Sequence, residues 1–311
     1  MSLMAKELTD QLSYLNWDNL DHRAIVVKGV ANVANYAGLD KISAIKPVIV
    51  FDEIHKYGKW KTFLKGFFDT YKRRVNIIVT GSSRLDLHKK GGDSLMGLYF
   101  LYRLHPLSVG EIARVNLSNK EINSPLSIKE TDFNKLLKNG GYPEPFLKNN
   151  TRFLNQWKTL RQRQLIEEDI RDLSRIQELG QIELLAEMLK HQSGQSTNYS
   201  TLAAKISVSV DTIRRWLKTL QSFYYCFTLQ PWSKNVPRSL IKEPKTFLWD
   251  WVNVEDPGSR FENFVALHLL KAVHFWTDRG LGAYDLWFIR DKEKREVDFL
   301  ITKNQKPWFL V

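Results

Sequence analysis

The stretch that most limits the fold is KPVIVFDEIHKY, residues 46–57. Four β-favouring apolar residues, Val48, Ile49, Val50 and Phe51, run without alternation into two adjacent carboxylates, Asp52 and Glu53. A short unbroken apolar run suits a parallel strand covered on both faces. Acids at its carboxyl end stand where open α/β sheets hold their ligands. In nucleotide-hydrolysing folds such a pair serves magnesium and the attacking water. The neighbouring sequence agrees with a parallel sheet. LSYLNWD (12–18) reads as a strand ending in an acid, and AIVVKGVANVANYA (24–37) as a helix. Trp60, Phe63, Leu64, Phe67 and Phe68 share one helical face, and VNIIVTGSS (75–83) is another buried strand. Strands alternating with helices make a doubly wound sheet.

A carboxylate pair of this kind works with a phosphate-cradling loop, G-x-x-x-x-G-K-[ST], in which backbone N–H groups and one lysine wrap the phosphates. The only Gly–Lys pair in the chain is Gly58–Lys59; Trp60 follows it, and Glu53 stands five residues before Gly58. The loop belongs upstream of LSYLNWD, which only about a dozen residues precede, so the chain reads as starting after the loop's place. The opening MSLM resembles an expression scar.

Downstream, a polar linker NLSNKEINSP leads into helical sequence. NGGYPEPF (139–146) is a helix stop and turn, and FLNQWKTLRQRQLIEEDIRDL continues as one long amphipathic helix. Helices at Thr201–Ile206 and Thr212–Leu220, a turn at SVSVD and a following aromatic β-ribbon form the winged version of a helix–turn–helix. KTFLWD, a helix around SRFENFVALHLLKAV and three strand-like runs complete the chain. The expected organisation is an α/β core over 1–112, a helical lid over 113–175, a winged helix over 176–239 and a small α/β domain over 240–311.

Composition adds boundaries. The net charge of +12 admits polyanions such as nucleic acid or nucleotides as partners without deciding the fold. A lone Cys226 excludes internal disulfides and thiolate zinc sites, and reads as a buried small apolar residue. No run approaches 18 apolar residues and no signal peptide opens the chain, so a cytoplasmic protein without a membrane partner is expected. The seven histidines are scattered, and His55 reads as a surface residue.

Nine segments in order, among them YLNWDN, VIVFDEIHKYGKWKTFLKGFFD, IIVTGSSRLDL, DSLMG, LHPLSVGEI, GGYPEPF, PKTFLWD, GSRFENFVALHLL and IRDKEKREVDFLI, resemble the bacterial and archaeal AAA+ ATPases that carry a DUF4143 C-terminal region. The resemblance implies a P-loop-type AAA+ core, a helical lid, a winged helix and a partial restriction-endonuclease-like domain. It implies ATP with Mg²⁺ as cofactors of an intact relative, none bound by this chain, and DNA, a protein or further copies as partners. Asp52 would hold magnesium through a water and Glu53 would accept the attacking water's proton. Ser82 would sense the γ-phosphate, with Thr80 and Ser83 as rivals. The family's arginine after the glycine of SLMG is Leu98 here. Arg214, Arg215 and Lys218 are the cations a winged helix would offer to DNA. Glu262 and Asp298 resemble two acids of a nuclease site and should approach each other through packing, or Glu262 pairs locally with Arg260. The family's E-x-K would follow Val311, and Lys303 and Lys306 do not replace it. The alternatives to an ATPase are a DNA-binding winged-helix module and a nuclease-like protein.

Overall fold

The computed structural model describes residues 11–41, 45–81, 95, 97–114, 120–171, 178–233, 243–291, 293 and 295–311. Contacts divide the chain into two compact units, residues 1–100 and 101–311.

In the first unit, β1 (Leu12–Asn16), β2 (Val48–Asp52) and β3 (Asn76–Val79) pair in that order, all parallel. Parallel neighbours need crossovers. Helices α1 (Leu20–Val27) and α2 (Val30–Tyr36) lie between β1 and β2, and α3 (Trp60–Tyr71) between β2 and β3. The central strand β2 is covered on both faces, with Ile49, Val50 and Phe51 at most 1% exposed, which is why its sequence does not alternate. Trp60, Phe63, Leu64 and Phe67 bury the predicted face of α3, and Phe51 meets Phe63 and Phe67 edge to face. The helix expected over 24–37 is two helices. Gly29 adopts φ 105°, a conformation open to glycine that ends the first helical path and begins the second.

The second unit begins with α4 (Val109–Ala113), α5 (Glu130–Asn139), α6 (Pro143–Lys148) and α7 (Thr151–Arg163). The long helix expected through DIRDL changes at Gln164–Ile170 into a π-helical segment. Then come α8 (Leu179–His191), α9 (Tyr199–Ile206) and α10 (Val210–Ser222), and an antiparallel ribbon of β4 (Cys226–Leu229) with β5 (Lys245–Leu248). A long helix α11 (Pro257–Asp278) precedes the antiparallel sheet β6 (Tyr284–Arg290), β7 (Glu296–Lys303) and β8 (Lys306–Leu310). Strand β5 is buried along its whole length and serves two cores. Phe247 packs with Trp251, Phe264 and Phe288, whereas Leu248 packs with Ile182, Trp216 and Leu220. Successive strand residues face opposite ways, so one four-residue strand feeds both clusters. Cys226 is fully buried in the second cluster, and burial pushes its thiol up. Among the described residues no helix is long and apolar enough to cross a membrane.

Candidate functional site

Asp52 ends the central parallel strand, and its two neighbours hold it. The Tyr14 hydroxyl on β1 donates to Oδ2, and the Thr80 hydroxyl just past β3 donates to Oδ1. Burial, and then the carboxylate it serves, push the Tyr14 phenol up to about 12. Glu53 diverges from its neighbour. Its φ of 54° is left-handed, a backbone state that costs a non-glycine residue about 1 kcal/mol or more. The chain turns sharply there into Ile54–Lys56, so the Glu53 carboxylate lies 3.5 Å from Lys56 Nζ and 3.8 Å from His55 Nε2. Lys56 also grips Asp18 at 2.7 Å. The same turn folds His55 inward: its side chain is 4% exposed, not the surface imidazole expected from sequence. Leu98 packs on the apolar core of this unit. Ser82 and Ser83 lie outside the described residues.

On α10 the apolar spacing decides which cations reach solvent. Ile213, Trp216, Leu217 and Leu220 are buried, leaving Arg214, Arg215 and Lys218 exposed along one open groove. Arg214 pairs with Asp211 at 3.2 Å and lies 5.6 Å above the Tyr199 ring.

The third cluster contains two residues that the sequence reading did not single out. Lys245, 5% exposed, sends its ammonium to Glu296 at 2.5 Å, Glu262 at 3.0 Å and Asp298 at 3.6 Å. Glu262 and Asp298 thus meet on one lysine, and Glu262 does not pair with Arg260, which donates to the Val254 and Glu255 carbonyls. Asn263 sets the helix against the strand. Its amide donates to Leu248 O and its carbonyl accepts from Leu248 N–H, both at 2.7 Å, while Ser193 adds a third bond at 2.6 Å. Gly194 makes room beside it, for a Cβ there would stand 2.7 Å from Glu262 Oε2. Desolvation lowers the Lys245 pKa, but the hydrogen bonds that its ammonium donates to Glu296 and Glu262 outweigh it and raise the value; burial raises Glu262. The signals were legible in part: Glu296 and Asp298 share a strand face at i, i+2, as do Lys245 and Phe247. Lys303 pairs instead with Glu121 at 2.7 Å. Among the described residues no group of three or more His, Cys, Asp or Glu is placed to hold a metal ion.

Comparison with known proteins bears on both units. Residues 130–251 match a domain of unknown function, DUF8612, which replaces the DUF4143 region expected from the sequence. No curated protein and no solved structure matches the chain. Residues 1–113, which contain the parallel sheet and the Asp52–Glu53 pair, match the model of an AAA domain.

Proposed function

We propose that residues 1–113 form the carboxylate half of an ATP-hydrolysing site, with Asp52 orienting Mg²⁺ through a water and Glu53 taking a proton from the attacking water. The observation that carries this is the acid pair at the carboxyl end of the central strand of a parallel sheet, inside a matched AAA domain. The donor fits a hydrated hard cation: an Asp52 carboxylate, an oxygen ligand, held in place by the Tyr14 and Thr80 hydroxyls that donate to its two oxygens. Magnesium there would neutralise charge developing on the β- and γ-phosphates. Thr80 is committed to Asp52, which leaves Ser82 or Ser83 to read the γ-phosphate.

No G-x-x-x-x-G-K-[ST] occurs in the 311 residues, so the phosphates have no loop to anchor them. Since catalysis of this type is mostly positioning and charge stabilisation, the 311-residue chain should turn over ATP no faster than its Glu53→Gln control. The gene's reading frame upstream of Met1 supplies the second arm. If it encodes the loop, protein expressed from there through Val311 should hydrolyse ATP and lose about 100-fold or more with Glu53→Gln. Equal turnover by the extended protein and its Glu53→Gln variant would refute the reading.

A second reading concerns α10. We infer that the winged helix expected over 176–239, to which helices α8–α10 and strand β4 belong, presents its exposed Arg214, Arg215 and Lys218 to neutralise DNA phosphates. Duplex affinity should then fall steeply with salt, and Arg214→Ala with Arg215→Ala should flatten the slope by about two counterions. An unchanged slope in the double variant would assign these cations to solvent.

A further inference from the structure

The first unit carries its positive charge in one place. Residues 1–100 hold 15 Lys and Arg against 10 Asp and Glu, and residues 59–74 alone hold six against the single Asp69. The excess of five in that stretch equals the excess of the whole unit, so the other residues of the unit balance. The stretch is helix α3 with its two flanks, and neither reading proposed above uses it.

Helical spacing sorts these cations. Trp60, Phe63, Leu64 and Phe67 take the buried face. At about 100° per residue, Lys61, Lys65, Phe68 and Lys72 fall within an arc of about 60°, a stripe along the border of that face. Lys61 Nζ lies 5.6 Å from the Trp60 ring centre and Lys72 Nζ 5.6 Å from that of Phe68. An ammonium over a ring keeps its charge at the surface while its stem covers apolar area. Lys59 and Arg73 are exposed at the two ends, whereas Arg74 turns back to donate to the Leu39 carbonyl.

The chemistry of this face selects its partner. A lipid surface needs apolar side chains that insert among headgroups, and a single strand needs exposed rings on which bases stack. The rings of Trp60, Phe63 and Phe67 are at most 9% exposed, so what α3 offers is charge in a row. Lys61 and Lys72 stand eleven residues apart, about 16 Å along the helix. One strand of a duplex passes about five phosphates in that distance. Lysine is a point charge on a flexible stem, so three of them can meet such a row without a fixed register. We propose that α3 is a duplex-DNA surface, with Lys61, Lys65 and Lys72 neutralising backbone phosphates and reading no bases.

The test is fluorescence anisotropy of a labelled short duplex between about 50 and 200 mM salt. The 311-residue chain carries Arg214→Ala, Arg215→Ala and Lys218→Ala, so the α10 cations take no part and failure of the winged-helix reading leaves this test untouched. Binding should persist in that background. Adding Lys61→Gln, Lys65→Gln and Lys72→Gln should reduce the slope of log affinity against log salt by about 2–3, since each neutralised phosphate contributes about 0.9. Asp69→Asn removes the one acid of α3 and should tighten binding, with or without the α10 changes, which decides the matter even where the multiple variant fails to fold. Absence of duplex binding in the α10 background, an unchanged slope after the three lysine changes, or no tightening in Asp69→Asn would overturn the proposal. Tighter binding to a single strand of equal length, to phosphatidylserine vesicles or to polyglutamate than to the duplex would overturn it too.

Discussion

Replacing Lys245 with methionine removes the one cation that three carboxylates share while keeping most of its buried stem. The Glu262 and Glu296 side chains are only 26% and 24% exposed, and Asp298 is 57% exposed. Breaking a fully buried ion pair costs 3–5 kcal/mol, and partial solvent access reduces that here to about 2–3 kcal/mol. The loss should depend on pH in a direction the structure fixes. Burial already raises Glu262, and Lys245 supplies the hydrogen bond and charge that lower it. Without the lysine that carboxyl rises further, so the folded variant binds more protons than the unfolded chain. Its stability then increases as pH falls through the raised value. Urea unfolding followed by tryptophan emission suits the measurement, since apart from Trp17 and Trp60 the tryptophans lie in the second unit. Lys245→Met should unfold earlier than wild type at about pH 8, with the gap narrowing at about pH 5. A midpoint within about 0.5 kcal/mol of wild type at the higher pH, or a gap that does not narrow, would refute the reasoning.

Asn263→Ala leaves the Leu248 N–H and C=O without partners inside the core, and should cost about 2–4 kcal/mol with faster hydrogen exchange at Leu248; unchanged exchange would show that the clamp is dispensable. Gly141→Ala drives a Cβ to 2.7 Å from Leu107 O and 2.9 Å from Trp251, and should lower the urea midpoint of the second unit by about 1–3 kcal/mol. Burial holds His105 at about 3, and His268 and His274 at about 4. These depressed values keep the folded rings neutral, so stability is full above about pH 6.5 and is lost as pH falls toward 4, where the unfolded chain takes up protons first. His105 Nε2 and His274 Nδ1 lie 2.8 Å apart, and Arg103, Lys271, Asp278 and Glu111 face these rings. The acid loss should be about 1–2 kcal/mol per ring by about pH 5 and smaller in His274→Asn; an identical pH profile in that variant would sink the account.

The N-terminal sheet was legible in the sequence because its information is local. An unbroken apolar run can be satisfied in one way, by cover on both faces, and the acids follow directly at the strand end. The same holds for α3 and α10, where the spacing of Phe63, Leu64 and Phe67, or of Ile213, Trp216 and Leu217, names the buried face without help from distant residues. Local pattern failed wherever backbone conformation or long-range pairing decided. Gly29 broke a run that was helical by composition. Glu53 turned away from Asp52 through a left-handed φ that no residue type announces. Lys245 carries no local signal of burial, being a charged residue at the head of KTFLWD. Its burial follows from the fold, since a strand serving two cores carries its first residue inside, and the helix starting at Pro257 and the strand starting at Glu296 deliver three carboxylates to it. Asp250 follows the same rule. Sequence supplied its charge, and only the packing of residues 140–253 decided that one oxygen would be buried without a donor.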